Sequence, residues 1–132
     1  MKDKHDLTRG WLTKAASDLA TADLILDSPG PYDTACFHAQ QAIEKLLKAV
    51  LAFHELPIPK SHDLEELQRS VCAIQPLPEL ADLDLAEMTD YAVAVRYDFE
   101  FWPDQEMAGQ AVTLAQKIQR IILGALPPEC HP

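Results

Sequence analysis

Residues 32–54 read YDTACFHAQQAIEKLLKAVLAFH. Within this stretch Tyr32, Cys36, Ala39, Ile43, Leu46, Val50 and Phe53 recur at alternating steps of four and three. An α-helix returns to the same side every 3.6 residues, so these side chains form one unbroken apolar seam. Ala35, Ala42 and Ala49 widen the seam and let a neighbouring helix approach closely. The reading is a helix of a packed bundle.

Working outward, prolines mark the joints. Pro29-Gly30-Pro31 precedes the seam, and Pro57-Ile58-Pro59 follows it. Pro76-Leu77-Pro78, Pro103 and Pro127-Pro128 mark later breaks. Proline lacks a backbone donor and clashes with the preceding helical turn, so it belongs between helices. A first helix is expected over residues 8–27, with Leu12, Ala16, Leu19, Ala22 and Leu26 inward. A third opens at Asp63, where Asp63 and Glu66 have capping-box spacing, and carries Leu64, Leu67, Val71 and Ile74. A fourth covers residues 83–97, with Leu85, Met88, Ala92 and Val95 inward. A fifth starts near Asp104, with Met107, Ala111, Leu114, Ile118, Ile121 and Ala125 as its stripe. No segment alternates at period two. The expected architecture is all-α: an up-and-down bundle of about five helices, one domain over residues 1–132, with a frayed tail from residue 127.

Composition agrees. Apolar residues make up 48% of the chain, enough for a core without disulfides or metal. No apolar run approaches the roughly 18–20 residues of a membrane span, and the N-terminus is polar without an apolar h-region. The expected compartment is the cytoplasm, with no membrane association. Three cysteines, Cys36, Cys72 and Cys130, are an odd number without C-x-x-C or zinc spacing, so neither a metal nor a cofactor is expected. The net charge of −10 repels phosphate backbones, which argues against general nucleic-acid binding. A local basic pocket remains compatible with it, because screening acts over ~8 Å.

Two places could carry chemistry. His38, Gln41, Lys45 and Lys48 share one stripe beside the seam. It is either a solvated face, with Glu44 and Lys48 as an i,i+4 pair, or a site for a phosphate or nucleotide. The second is residues 91–103, YAVAVRYDFEFWP. There Arg96 either pairs with Asp98, Glu100 or another acid while Phe99, Phe101 and Trp102 plug the bundle end, or it belongs to a ligand wall with Tyr97. His62, before the Asp63 cap, is expected to bond the helix start.

These segments together resemble the HEPN domain, the higher eukaryotes and prokaryotes nucleotide-binding family. The resemblance rests on Trp11, Ala15, Asp18, Leu19 and Ala22, then on the run Cys36 to Ala49 with its Gln40-Gln41-Ala42 and Glu44-Lys45, then on His62-Asp63-Leu64 with Leu67, and last on Ala94-Val95-Arg96-Tyr97. It implies a four-helix-bundle-like fold. It also implies the setting of many members, a toxin–antitoxin pair with a minimal nucleotidyltransferase. Catalytic members are metal-independent ribonucleases whose motif, composed across a dimer, is Arg, four to six residues, then His. Arg96 matches the Arg, but Phe101, Trp102 and Pro103 occupy the places of the His. The expectation is therefore a non-catalytic or degenerate member. It would form a homodimer, pair with a nucleotidyltransferase-like partner, or both. Its nucleotide ligand would be held by Arg96, Tyr97, Lys45, Lys48, Gln41 and His38. The alternatives are a ribonuclease toxin using Arg96 with His38 as a substitute base, and a pure dimerisation module.

Overall fold

The computed structural model describes residues 2–132. Six α-helices and a closing 3₁₀ turn account for the secondary structure, with no strand among the described residues.

Helix α1, Lys4–Leu26, starts earlier than the apolar pattern suggests. Asp3 and Asp6 form a full capping box: the Asp3 carboxylate accepts from the Asp6 N–H at 3.0 Å and the Asp6 carboxylate from the Asp3 N–H at 3.2 Å. Two orphan donors are thereby satisfied, which permits another turn of helix. Gly30, at φ +110°, then turns the chain into α2, Tyr32–Phe53. A Cβ there would lie 3.2 Å from the Tyr32 nitrogen, so the position requires glycine.

Helix α2 is the centre of the molecule. Cys36, Ala39, Ile43, Leu46 and Val50 of the seam are fully buried, as are Ala35, Ala42 and Ala49. Helices α1, α3, α5 and α6 all pack on it. That encirclement buries Gln40, Glu44 and Lys48 as well, which a one-sided seam does not foretell.

Helix α3, Leu64–Ile74, is capped by Asp63, whose carboxylate accepts from the Glu65 and Glu66 N–H groups. Ser61 closes the cap, accepting from the Asp63 N–H and donating to Glu66, both at 3.1 Å. The expected fourth helix starts three residues later than its pattern suggests, and a short helix not expected from the sequence precedes it at the Pro76-Leu77-Pro78 break. Pro78 opens a one-turn helix α4, Pro78–Ala81, because proline is tolerated at the first helical position. Helix α5, Ala86–Tyr97, follows a turn in which Asp84 accepts from the Ala86 N–H. Leu85, Met88 and Ala92 point inward as expected, joined by Tyr91, whereas Val95 is only half-buried.

Helix α6, Gln105–Ala125, is capped by Asp104. Its inward face is rotated from the expected stripe: Ala108, Ala111, Val112, Ala115, Ile118 and Ile122 are buried, while Met107, Leu114 and Ile121 are half-buried flanks. The small alanines take the line of closest approach and the bulkier side chains fill the margins. The tail is not frayed. Cys130 is buried in the core, and His131 Nε2 donates to the Leu123 and Leu126 carbonyls at 2.8 and 3.1 Å. This imidazole satisfies acceptors that the end of α6 leaves open, and the Arg9 guanidinium ties down the Glu129 carbonyl. No helix among the described residues is long and apolar enough to cross a membrane.

Candidate functional site

The polar face of α2 meets α1 on one side. Asp18 of α1 accepts from His38 Nδ1 at 2.8 Å and from Lys45 Nζ at 2.6 Å. The two donors stand seven residues apart on α2, two turns on one side of the helix, so one carboxylate spans both. The Asp18 side chain is only 12% exposed, and both bonds are of the charge-assisted kind. With Nδ1 engaged, His38 keeps Nε2 free for another group. In the sequence Asp18 is marked only as one of the first-helix residues that carry the family resemblance. Its partners lie 20 and 27 residues away, and nothing local marks the pairing.

Further along the same face, Glu44 forms a second cluster. It accepts from Lys48 Nζ at 3.1 Å and from His62 Nδ1 at 2.8 Å. The expected i,i+4 pair therefore exists, but the Lys48 and Glu44 side chains are only 7% and 5% exposed. Lys48 also lies 5.8 Å from the centre of the Trp11 ring, within cation–π range. Lys48 is thus occupied inside the bundle and is not a free ammonium on the polar face of α2. His62 ties the loop before α3 to Glu44 rather than bonding the helix start, because Asp63 already fills the cap.

Arg96, in the last turn of α5, is exposed and pairs with no carboxylate among the described residues. Its guanidinium carbon lies 5.2 Å from the centre of the Phe37 ring of α2. Neither expected acid pairs with it; Asp98 accepts from the Glu100 N–H in the turn after α5. The plug of aromatics is likewise corrected. Phe101 packs on Tyr91, but Phe99 is 88% exposed and Tyr97 and Trp102 are each 73% exposed. Helix α5 ends at Tyr97, and the tight turn that follows directs these rings outward; the Trp102 indole donates to the Phe99 carbonyl.

Phe37 and His38 are successive residues, about 100° apart around α2. Their rings meet edge to face at 5.7 Å. Arg96 with Phe37 and the Asp18-bound His38 and Lys45 thus border one strip of α2, with Gln41 between them one turn along. The Gln41 amide donates to Gln40 Oε1 at 2.7 Å. Of the residues singled out by sequence, His38 and Lys45 are brought together on Asp18, Gln41 shares their side of α2, and Arg96 meets α2 at Phe37. Tyr97 stands out in solvent and Lys48 lies beneath. Cysteine chemistry is absent from the strip: burial, with Asp33 and Glu87 nearby, pushes the Cys36 thiol up to about 11. Burial also raises the thiols of Cys72 and Cys130.

A central helix wrapped by four others, with an arginine in the last turn of α5 beside it, defines a small all-α bundle protein. The chain belongs to the HEPN domain family, whose model matches residues 8–125. It is also similar to TT1696 from Thermus thermophilus, a crystal structure, at 29% sequence identity and a TM-score of 0.69, covering 90% of this chain and 98% of that one. Comparison with curated proteins finds no match.

Proposed function

We infer that this HEPN protein binds a nucleotide through its phosphate on the strip between Arg96 and Lys45, without turning it over. The observation that carries the reading is Arg96, an exposed guanidinium with no carboxylate partner among the described residues and aromatic backing from Phe37. Such a cation is free to meet a phosphate with paired N–H donors. Lys45 and His38 are held by Asp18, so they add to the site by exchanging that carboxylate for a ligand oxygen. Calorimetric titration of nucleoside monophosphates should show weak binding that Arg96→Ala reduces about tenfold or more and Lys45→Ala reduces less. Equal affinity in wild type and Arg96→Ala would refute the assignment.

The biological setting that fits is a cytoplasmic toxin–antitoxin-like pair with a minimal nucleotidyltransferase. The acidic surface suits a partner with a basic face. Phe99, Trp102 and Tyr97 form an exposed aromatic patch of the kind that buries itself in an interface, and homodimerisation through it is the assembly we favour. Light scattering should report a dimer, and the double substitution Phe99→Ser, Trp102→Ser should shift it toward monomer by at least tenfold in dissociation constant. A clean wild-type monomer at high concentration, with no partner recovered in a pull-down, would count against it.

One observation favours a second reading, a metal-independent ribonuclease. An imidazole oriented by a carboxylate, with its other nitrogen free, is the arrangement a general base requires, and Asp18–His38 has it. The positions that would carry the family's His are Phe101, Trp102 and Pro103, so the leading expectation is still binding without turnover. Incubation with a mixed RNA pool in EDTA decides between them. No cleavage supports the binding protein. Robust cleavage, lost in both Arg96→Ala and His38→Ala, would establish the ribonuclease.

A further inference from the structure

The extra turn at the start of α1 runs beside the end of α2. Lys4 Nζ lies 4.7 Å from the centre of the Phe53 ring, and the His5 ring meets the same ring edge to face at 6.0 Å. Helix α2 closes there in a left-handed turn. Glu55 stands at φ +57°; its N–H donates to the Ala52 carbonyl and the Leu56 N–H to the Leu51 carbonyl, both at 3.0 Å. Glycine is the usual residue at such a position, since a Cβ is disfavoured there. The turn brings Leu56 and Ile58 back toward α1. Between them lies a hollow of about 730 Å³, walled by Leu7, Trp11, Ala52, Leu56 and Ile58. Small-molecule sites commonly measure about 300–1,000 Å³. Leu7 and Trp11 also line a second hollow of about 380 Å³, on the Gly10 and Lys14 side of α1. Leu7 and Leu56 are exposed, so apolar surface stands open to water that a ligand would cover.

The charges here run against those of the whole chain. Residues 1–14 hold four of its 11 Lys and Arg but only two of its 21 acids. Both of those acids are engaged. Asp3 and Asp6 accept from each other's N–H groups, and Asp6 also takes Arg9 at 3.1 Å. Lys2 and Lys4 line the larger hollow and Lys2 and Lys14 the smaller; none of the three has an ion-pair partner among the described residues. Glu55 is the one other acid that lines either hollow. Uncommitted ammonium groups around an apolar wall favour a ligand with an acidic head and an apolar body.

We propose that the hollow between the start of α1 and the chain after α2 binds a small amphipathic anion. Its apolar body lies against Trp11 and Leu56, and its acidic head meets Lys2 and the neighbouring ammonium groups. This site shares no residue with the strip at Arg96 and does not depend on the nucleotide reading.

The chain has two tryptophans, so Trp102→Phe leaves Trp11 as the only one and its emission reports on the hollow. The full chain with that substitution is titrated with decanoate below its micelle concentration, with acetate as the head alone and decyltrimethylammonium as the opposite charge. Decanoate should shift the Trp11 emission to the blue and saturate; the other two should not. Lys2→Glu with Lys14→Glu should weaken decanoate binding about tenfold or more, and Glu55→Gln, which removes the opposing charge, should tighten it about twofold. Lys2 and Lys14 are exposed, so circular dichroism should show the double variant folded. Decanoate affinity unmoved by these substitutions, or matched by decyltrimethylammonium, overturns the proposal. So does binding to phosphatidylglycerol vesicles with no response to monomeric decanoate, which would make this end a membrane-facing surface instead.

Discussion

Ile43→Asp is expected to leave no folded protein at room temperature. Ile43 is fully buried at the middle of the seam, on the helix that the rest of the bundle surrounds. Two losses coincide there. The apolar contacts of a buried isoleucine disappear, which alone costs about 2–5 kcal/mol in truncations to alanine. A carboxylate is also placed where no donor reaches it, adding several kcal/mol or forcing it to take up a proton. Together these approach the whole stability of an ordinary domain, about 5–15 kcal/mol. Circular dichroism should show a strongly helical wild type melting cooperatively without added metal, and a largely unfolded Ile43→Asp. Ile43→Val, which removes one methylene, should cost only about 0.5–1.5 kcal/mol. An aspartate variant with a wild-type urea midpoint would refute the central placement of α2.

The second large effect lies in the Glu44–Lys48 pair. Glu44→Ala removes the carboxylate that both Lys48 and His62 use, and it strands the Lys48 ammonium inside the bundle. Breaking a buried pair from one side costs about 3–5 kcal/mol, because the remaining charge stays desolvated and unpaired. The Trp11 ring offsets only part of that, since a cation–π contact contributes about 0.5–2 kcal/mol. Replacing both partners with apolar residues of similar volume, Glu44→Leu with Lys48→Met, should recover most of the loss. Urea denaturation of the three proteins measures it. A double variant less stable than Glu44→Ala would show that the pair contributes something desolvation does not explain, and would refute this account of it. The same series separates structure from ligand binding. Lys48 stands apart from the strip, so nucleotide affinity should change only to the extent that the fold itself is lost.

Ile43 and Glu44 are neighbours on α2, yet the sequence reveals them unequally. Spacing alone assigns Ile43 to the seam, and the structure buries it completely. Glu44 and Lys48 are legible as neighbours one turn apart, but their burial is not, because helices on several sides of α2 cover what a single seam would leave in water. The strip divides in the same way. Arg96, His38, Gln41 and Lys45 are identifiable as polar residues near apolar faces. Their actual partners, Asp18 for His38 and Lys45 and Phe37 for Arg96, come from other helices.

What the sequence by itself determined is what short-range chemistry controls. The i,i+3/i,i+4 pattern set the helices, proline placed the breaks, and Asp63 and Asp104 opened α3 and α6 as caps, since a side-chain acceptor within three residues suffices. The family followed from these local runs in order. Only the tertiary structure decided which side of α6 faces inward, because periodicity defines a stripe to within about one residue and the fit of Ala108, Ala111 and Ala115 selects the line of contact. It also decided that the tail is anchored by Cys130 and His131, that Phe99 and Trp102 face solvent, and that one carboxylate of α1 holds two side chains of α2. Each of these depends on the distance between residues far apart in the chain, and that distance exists only once the helices have packed.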